Sequence, residues 1–264
     1  MITSAQNTQV KNIIKLNQKA KARREQKLFV AEGRKMFLEA PENLIDRIYV
    51  AESMLEDEEV MQKVHRFSWE AVENSVFRQM CDTQTPQGIL AIVRMPKYDL
   101  PDLLQGDHTH LLILESVQDP GNLGTMVRTG EGAGITGIIM NKTTVDLFNP
   151  KTIRSTMGSI YRVPYLITEH LPDLLDELHK ENIRLYAAHL KGDTYYDAFD
   201  FTGACGFLIG NEGNGLSDEI AECADCYLKI PMEGKVESLK AAVSAALLMY
   251  ECKRQRGEHN ENMV

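Results

Sequence analysis

The segment PGNLGTMVRTGEGAG, residues 120–134, carries one cation, Arg128, among five glycines. A guanidinium is a permanently charged, five-donor fork that suits a phosphate or a developing oxyanion. A second segment, GNEGNGLSDEI (210–220), sets one carboxylate, Glu212, between Gly210, Gly213 and Gly215. A third, IPMEGKVESLKAA (230–242), holds Ser238, which reads as the start of a helix. Each follows a short apolar run: LLIL (111–114), FLI (207–209) and YLKIPM (227–232). In open α/β sheets ligands bind outside the carboxyl ends of the strands, so three such loops predict one shared crevice.

The first loop has local structure of its own. Asp119-Pro120-Gly121-Asn122 reads as a turn, with Asn122 as helix N-cap and Gly134 as the residue that ends the helix. Leu123, Met126, Val127 and Gly130 then form the buried face, leaving Thr125 and Arg128 off it. Glycine inside a helix costs roughly 1 kcal/mol relative to alanine. Close approach of a ligand or a neighbouring element is what offsets such a cost.

Other chemistries fit less well. The glycines of the second loop run G-x-x-G-x-G, and the downstream acid of a dinucleotide fold is missing, as is a Walker lysine–serine pair. This weighs against a nucleotide-dependent oxidoreductase. Cys223-Ala-Asp-Cys226 lacks the second pair a zinc site needs, and it precedes a strand instead of opening a helix, so no metal is expected. Five cysteines at irregular spacing point to a reducing compartment, and the chain is expected to be cytoplasmic. No uncharged apolar run reaches membrane-spanning length. The acid-free start, MITSAQNTQVKNIIKLNQKAKARR, has the composition of a transit peptide. It runs without a break into FVAEGRKMFLEA, however, and reads as a basic first helix.

Charge is unevenly spread. Residues 1–35 carry nine Lys/Arg and two acids, a local net of +7 on a chain of net −9, which leaves −16 for the remainder. Lys19, Lys21, Arg23 and Arg24 could be a phosphate-binding footprint or one solvated helix face, and the sequence leaves both open.

These residues need elements to hold them. Residues 1–95 read as a small α/β domain: a basic helix, strands at LFVA, IDRIYVA and GILAIVRM, and helices at GRKMFLEA, SMLEDEEVMQKV and SWEAVENSVFRQMCD. Residues 96–110, with two prolines and a glycine, read as a linker. From 111 to 264, apolar runs alternate with helical patterns, the signature of a mostly parallel sheet covered by helices. The last helix shows Leu239, Val243, Ala246, Leu247 and Tyr250 at helical spacing, and the tail GEHNENMV reads as frayed.

The motifs DPGNLGTMVRTGEGAG, LIGNEGNGLSDEI and IPMEGKVESLKAAVSAALLMYE, in this order, resemble those of the SpoU (TrmH-type) RNA ribose 2′-O-methyltransferases of the SPOUT superfamily. FNPKTIRSTMGSIYRVPY is also similar to that family, and the N-terminal unit resembles the L30e-like substrate-binding domain of its ribosomal-RNA branch. The resemblance implies a deep trefoil knot, a homodimer, and S-adenosylmethionine held by Gly210, Gly213, Ile230, Met232 and Leu239. It gives catalytic positions to Asn122, Arg128, Glu212 and Ser238 and makes the arginine the base. Because a guanidinium stays protonated, the chemistry points instead to Arg128, oriented by Glu212, clamping the target phosphate and stabilising the developing alkoxide. One position departs: Lys240 stands where the family usually has Asn. The departure is either a tolerated variant or the mark of an RNA-binding protein without activity. A transfer-RNA target is a further alternative to ribosomal RNA.

Overall fold

The computed structural model describes residues 1–236 and 238–261. The chain forms two compact units: Met1–Lys97 with Asp146–Tyr161, and Tyr98–Val145 with the chain from Arg162 onward. Residues 146–161 therefore pack with the first unit, although their place in the sequence lies inside the expected second domain.

The first unit opens with α1 (Thr8–Gln18), capped by Asn7, whose side chain accepts a 2.8 Å hydrogen bond from Gln9 N–H. Val10, Ile13 and Leu16 recur at helical spacing and are buried. A second helix, α2 (Ala20–Gln26), leads into β1 (Leu28–Glu32) and α3 (Arg34–Glu39). Then come β2 (Ile45–Ala51), α4 (Glu58–Val64), β3 (Trp69–Val72), α5 (Asn74–Met80) and β4 (Ile89–Arg94). The sheet order is β1-β4-β2-β3, antiparallel except for the parallel β2–β3 pair. SWEAVENSVFRQMCD is thus not one helix. Its first half is the edge strand β3, and only its second half is helical.

The second unit starts in the expected linker. A short helix, α6 (Leu100–Leu103), sends Leu103 fully into the core, so this stretch is not a free connector. Next are β5 (His110–Leu114), α7 (Pro120–Ala133) and β6 (Gly137–Asn141). After α8 (Pro150–Thr156), which belongs to the first unit, the chain returns with β7 (Tyr165–Thr168), α9 (Leu171–Lys180), β8 (Arg184–Ala188) and β9 (Thr194–Tyr195). It ends with β10 (Cys205–Ile209), α10 (Asp218–Glu222), β11 (Cys226–Lys229) and α11 (Ala241–Glu261). The seven strands lie in the order β7-β6-β5-β10-β8-β11-β9, and every pairing is parallel. β5 and β10 are buried along their whole length, as a parallel sheet with covered faces requires.

Two helices depart from expectation in ways that matter for the site. The N-cap of α7 is Asp119, not Asn122: Asp119 accepts from Asn122 N–H at 2.7 Å, and Pro120 takes the first helical position. On α11, Ala242, Ala245, Leu248, Met249 and Cys252 face inward. The residues noted at helical spacing lie on the outward side: Val243 and Tyr250 are 46% and 48% exposed, and Ala246 and Leu247 are half-buried. The helix also continues through Glu261 over most of the tail read as frayed, whose residues 262–264 lie outside the described residues. Close packing explains one of the glycines of α7: a Cβ on Gly130 would stand 2.3 Å from Ile135 Cδ1 and 3.6 Å from Met249 Sδ of α11.

Candidate functional site

The loops after β5, β8, β10 and β11 meet at the carboxyl ends of their parallel strands and enclose a cavity of about 800 Å³. Its walls include Glu115 after β5, His189 and Lys191 after β8, and Ser244 on α11. Among the residues expected from the sequence, Gly210, Glu212, Gly213, Ile230, Met232, Ser238 and Leu239 all line it. Ser238 does so from the loop before α11, because the helix begins three residues later than its pattern suggested.

The loop after β10 is shaped by its own backbone. Asn211 and Gly215 exchange both backbone hydrogen bonds, at 3.0 and 2.9 Å, which folds the loop back on itself. A Cβ on Gly210 would stand 2.1 Å from the Gly215 carbonyl carbon, so no other residue fits there. The Asn211 side chain accepts from Gly213 and Asn214 N–H at 2.9 and 3.0 Å, and donates to Ser116 O at 2.9 Å. The same loop is tied to the end of β5 by Glu115, which accepts from Ser217 N–H and Oγ at 2.8 and 2.7 Å.

Held this way, Glu212 gathers the N-terminal approach to α7. Its carboxylate accepts from Gln118 N–H (3.0 Å), Asp119 N–H (3.1 Å) and the Asn122 amide (3.0 Å). Burial works against its charged form, but the hydrogen bonds from Gln118, Asn122 and Asp119 outweigh it and hold the carboxyl below its ordinary range. Asn122 therefore joins the cavity through Glu212.

Arg128 does not. It is exposed, lies off the cavity wall, and its side chain has no hydrogen bond or ion pair among the described residues. The expected Glu212–Arg128 contact is replaced by the Glu212–Asn122 contact. The reason is helical geometry: Asn122 lies in the first turn of α7, and Arg128 nearly two turns further on.

Lys240 also stays off the cavity wall. It stands where α11 begins, its carbonyl accepting from Val243 and Ser244 N–H at 2.8 and 3.0 Å, and its side chain is exposed. This is an N-cap position, where asparagine offers a side-chain acceptor and lysine none.

The basic arm is divided. Lys19, Lys21 and Arg24 are exposed, with Lys21 3.7 Å from Glu25. Arg23 is only 3% exposed. Its Nε donates to Asp146 Oδ2 at 2.8 Å and its Nη1 to the Leu16 and Asn17 carbonyls, so it is a structural residue and is not available to RNA.

The pocket suits the cofactor implied by the resemblance. Leu216, Leu228, Ile230, Met232 and Leu239 offer apolar contact for an adenine ring, while the backbone at the strand ends offers donors and acceptors for its edge. Glu115, Ser116, Asn141 and Asn211 were not singled out from the sequence. Ser116 has a left-handed backbone (φ 55°) and donates its N–H to the Asn141 side chain at 2.9 Å. Only the cluster of small polar residues next to the strand ends hinted at them. The Cys223 and Cys226 sulfurs, paired in sequence, are engaged separately, with the Glu219 carbonyl and Arg184. His110, Cys205 and Cys252, which share no local motif, come together in the core.

Residues 109–250 match the SpoU rRNA Methylase family, and residues 7–91 match the MRM3-like substrate binding domain. The chain is 33% identical over 251 residues to the 23S rRNA (guanosine(2553)-2′-O)-methyltransferase RlmP of Bacillus subtilis, covering 94% of this chain and 97% of that protein. The fold is similar to the SpoU methyltransferase AviRb of Streptomyces viridochromogenes, with a TM-score of 0.87, 25% identity, and coverage of 96% and 99%. It is also similar to an AdoMet-bound rRNA methyltransferase of Sinorhizobium meliloti, with a TM-score of 0.84, 29% identity, and coverage of 96% and 97%.

Proposed function

The chain belongs to the SpoU rRNA methylase family, and from that premise we propose that it transfers a methyl group from S-adenosylmethionine to a ribose 2′-hydroxyl of ribosomal RNA. The observation that carries this reading is the convergence of Gly210, Glu212, Ile230, Ser238 and Leu239 on one cavity at the strand ends. When bound, S-adenosylmethionine supplies the methyl group as an electrophile on a sulfonium sulfur. Ile230, Met232 and Leu239, with backbone at Gly210 and Gly213, are the residues that would hold it. Glu212 fixes Asn122 and the start of α7, so the edge of the cavity is set before RNA arrives. Arg128, exposed and permanently charged, clamps the phosphate beside the target ribose and stabilises the alkoxide that develops as the hydroxyl proton leaves to phosphate or water.

The first unit, with Lys19, Lys21 and Arg24 exposed, supplies RNA contacts whose strength falls steeply with salt. A homodimer formed through the outward face of α11, the trefoil knot of the family, and a cytoplasmic location complete the reading. Among the described residues no helix is long and apolar enough to cross a membrane.

The test is methyl transfer from labelled S-adenosylmethionine to ribosomal RNA of a strain lacking the gene, followed by mapping of the modified ribose in the 23S species first. One methylated ribose, absent from the deletion strain and restored by the protein, is the expected result. RNA binding without any methyl transfer would favour a non-catalytic protein. Lys240→Asn decides what the departure at that position means. As a cap replacement it should raise stability by about 1 kcal/mol and leave turnover unchanged, whereas turnover gained only in the variant would mark the natural chain as inactive.

A further inference from the structure

The second unit buries a cluster that the methyl-transfer chemistry does not use. His110 is the first residue of β5 and Cys205 the first of β10, and the two are directly paired across the parallel strands. Cys252 reaches them from α11. All three are at most 1% exposed. Their donor atoms lie within 4.8 Å of one another, and the two sulfurs are 3.7 Å apart. Two thiolates bound at about 2.3 Å to a common three-coordinate metal, at about 120°, stand about 4.0 Å apart, so the pair need open by only a few tenths of an ångström. The ring nitrogen His110 Nε2 is buried without a hydrogen-bond partner, which a core usually avoids.

We propose that His110, Cys205 and Cys252 form a three-ligand site for a soft monovalent cation, Cu(I), at the end of the sheet opposite the cofactor cavity. Ligand type selects a thiophilic metal. Coordination number and charge select the monovalent one. Structural zinc takes four ligands, and no fourth His, Cys, Asp or Glu joins the cluster among the described residues. The Arg256 guanidinium lies 3.7 Å from Cys205 Sγ, fixed by the carbonyls of Phe201, His108, Thr109 and Gly203. Two thiolates with Cu(I) carry one negative charge, which Arg256 cancels. With Zn(II) the thiolates are already neutralised, and the half-buried Arg256 beside Cys205 Sγ would face a site without the negative charge it matches. Binding exchanges the thiol protons for the metal, with no change of oxidation state, and pins α11 to the first residues of two central strands.

The experiment uses the full chain with Cys81, Cys223 and Cys226 replaced by Ser, so that only the buried pair remains. Copper is loaded anaerobically, as Cu(I) competed against bicinchoninate, and in parallel by expression in copper-supplemented medium. One Cu(I) per chain is expected, with X-ray absorption reporting two sulfur ligands and one nitrogen and with Tm raised by about 5 °C or more. Cys205→Ala and Cys252→Ala should each abolish loading, and His110→Gln should weaken it at least about tenfold. Failure of both loading routes, or copper retained by either alanine variant, overturns the proposal. Stoichiometric Zn(II) held by the same three ligands overturns the monovalent assignment. If the alanine variants do not fold, the ligand set read by X-ray absorption in the parent chain decides. S-adenosylmethionine binding, measured on the same samples, reads the other end of the sheet independently.

Discussion

Glu212 is the residue on which the two halves of the cofactor loop system meet. It stands on the loop after β10, yet all its partners outside that loop, Gln118, Asp119 and Asn122, stand at the entrance to α7. A carboxylate near a helix N-terminus is favoured by the exposed amide donors there, and here it takes two backbone N–H groups and one side-chain amide. The hydrogen bonds lower its pKa against the opposing effect of burial. A carboxyl lowered on folding contributes stability above its unfolded pKa, and the contribution is lost as pH falls through the folded value. S-adenosylmethionine affinity should therefore carry no contribution from Glu212 titration between pH 8 and 6, and should fall in acid below the ordinary carboxylate range. Glu212→Gln keeps one acceptor oxygen but sets an NH2 group against backbone donors. Hydrogen exchange at residues 116–122 should speed up in this variant at neutral pH, and the acid limb of the affinity profile should disappear. An acid limb that persists in Glu212→Gln would assign it to another group.

At the scale of elements, α2 shows how a charged helix can be half surface and half core. Lys19, Lys21 and Arg24 point to solvent, while Arg23 ties the end of α1 to Asp146, a residue 123 positions away in sequence. Arg23→Met removes one partner of a buried pair and strands Asp146, which should cost about 3 kcal/mol of stability and show as a lower denaturant midpoint. The triple change Lys19→Glu, Lys21→Glu and Arg24→Glu should leave that midpoint within about 0.5 kcal/mol and weaken RNA binding instead. Unchanged RNA affinity in the triple variant would remove the arm from the binding surface. No local pattern separates Arg23 from its neighbours, because the distinction lies in a long-range partner. The α7 cap was different: Pro120 at the first helical position marks Asp119 as the cap, and that signal is present in the sequence. The strands β5 and β10 were legible as continuous apolar runs. β3 was not, because four residues before a helix are too short to show a period of two against one of 3.6. The inward and outward faces of α11 are both apolar, so periodicity alone could not say which of them the chain itself buries.

At the scale of the molecule, that second face and the position of Arg128 point to the same prediction. Tyr196, Val243, Ala246, Leu247, Tyr250 and Arg254 line an open groove of about 420 Å³ on the outward side of α11. An unpaired apolar stripe of this kind suits a self-complementary two-fold contact. α7 packs along the same helix, with Gly130 close to Met249 and Gly132 beside the Tyr250 hydroxyl at the edge of this groove. Arg128 leaves α7 toward solvent instead of toward its own chain's cavity. A dimer closed through α11 would therefore let the guanidinium of one chain serve the cavity of the other. The two arrangements are separable by mixing variants. Arg128→Ala and Glu212→Ala should each be inactive as homodimers. Co-expressed in equal amounts with different tags, they form mixed dimers in which one of the two sites carries an intact Glu212 and an intact Arg128 from the opposite chain. Labelled-methyl transfer should then recover to about a quarter of the wild-type value if assembly is random and the sites act independently. If Arg128 serves its own cavity, no site in the mixture is complete and no activity returns. Adding Val243→Asp and Tyr250→Glu to both chains should give monomers by light scattering and abolish the recovery. Recovery that survived in monomers would show that the exchange does not run through this face.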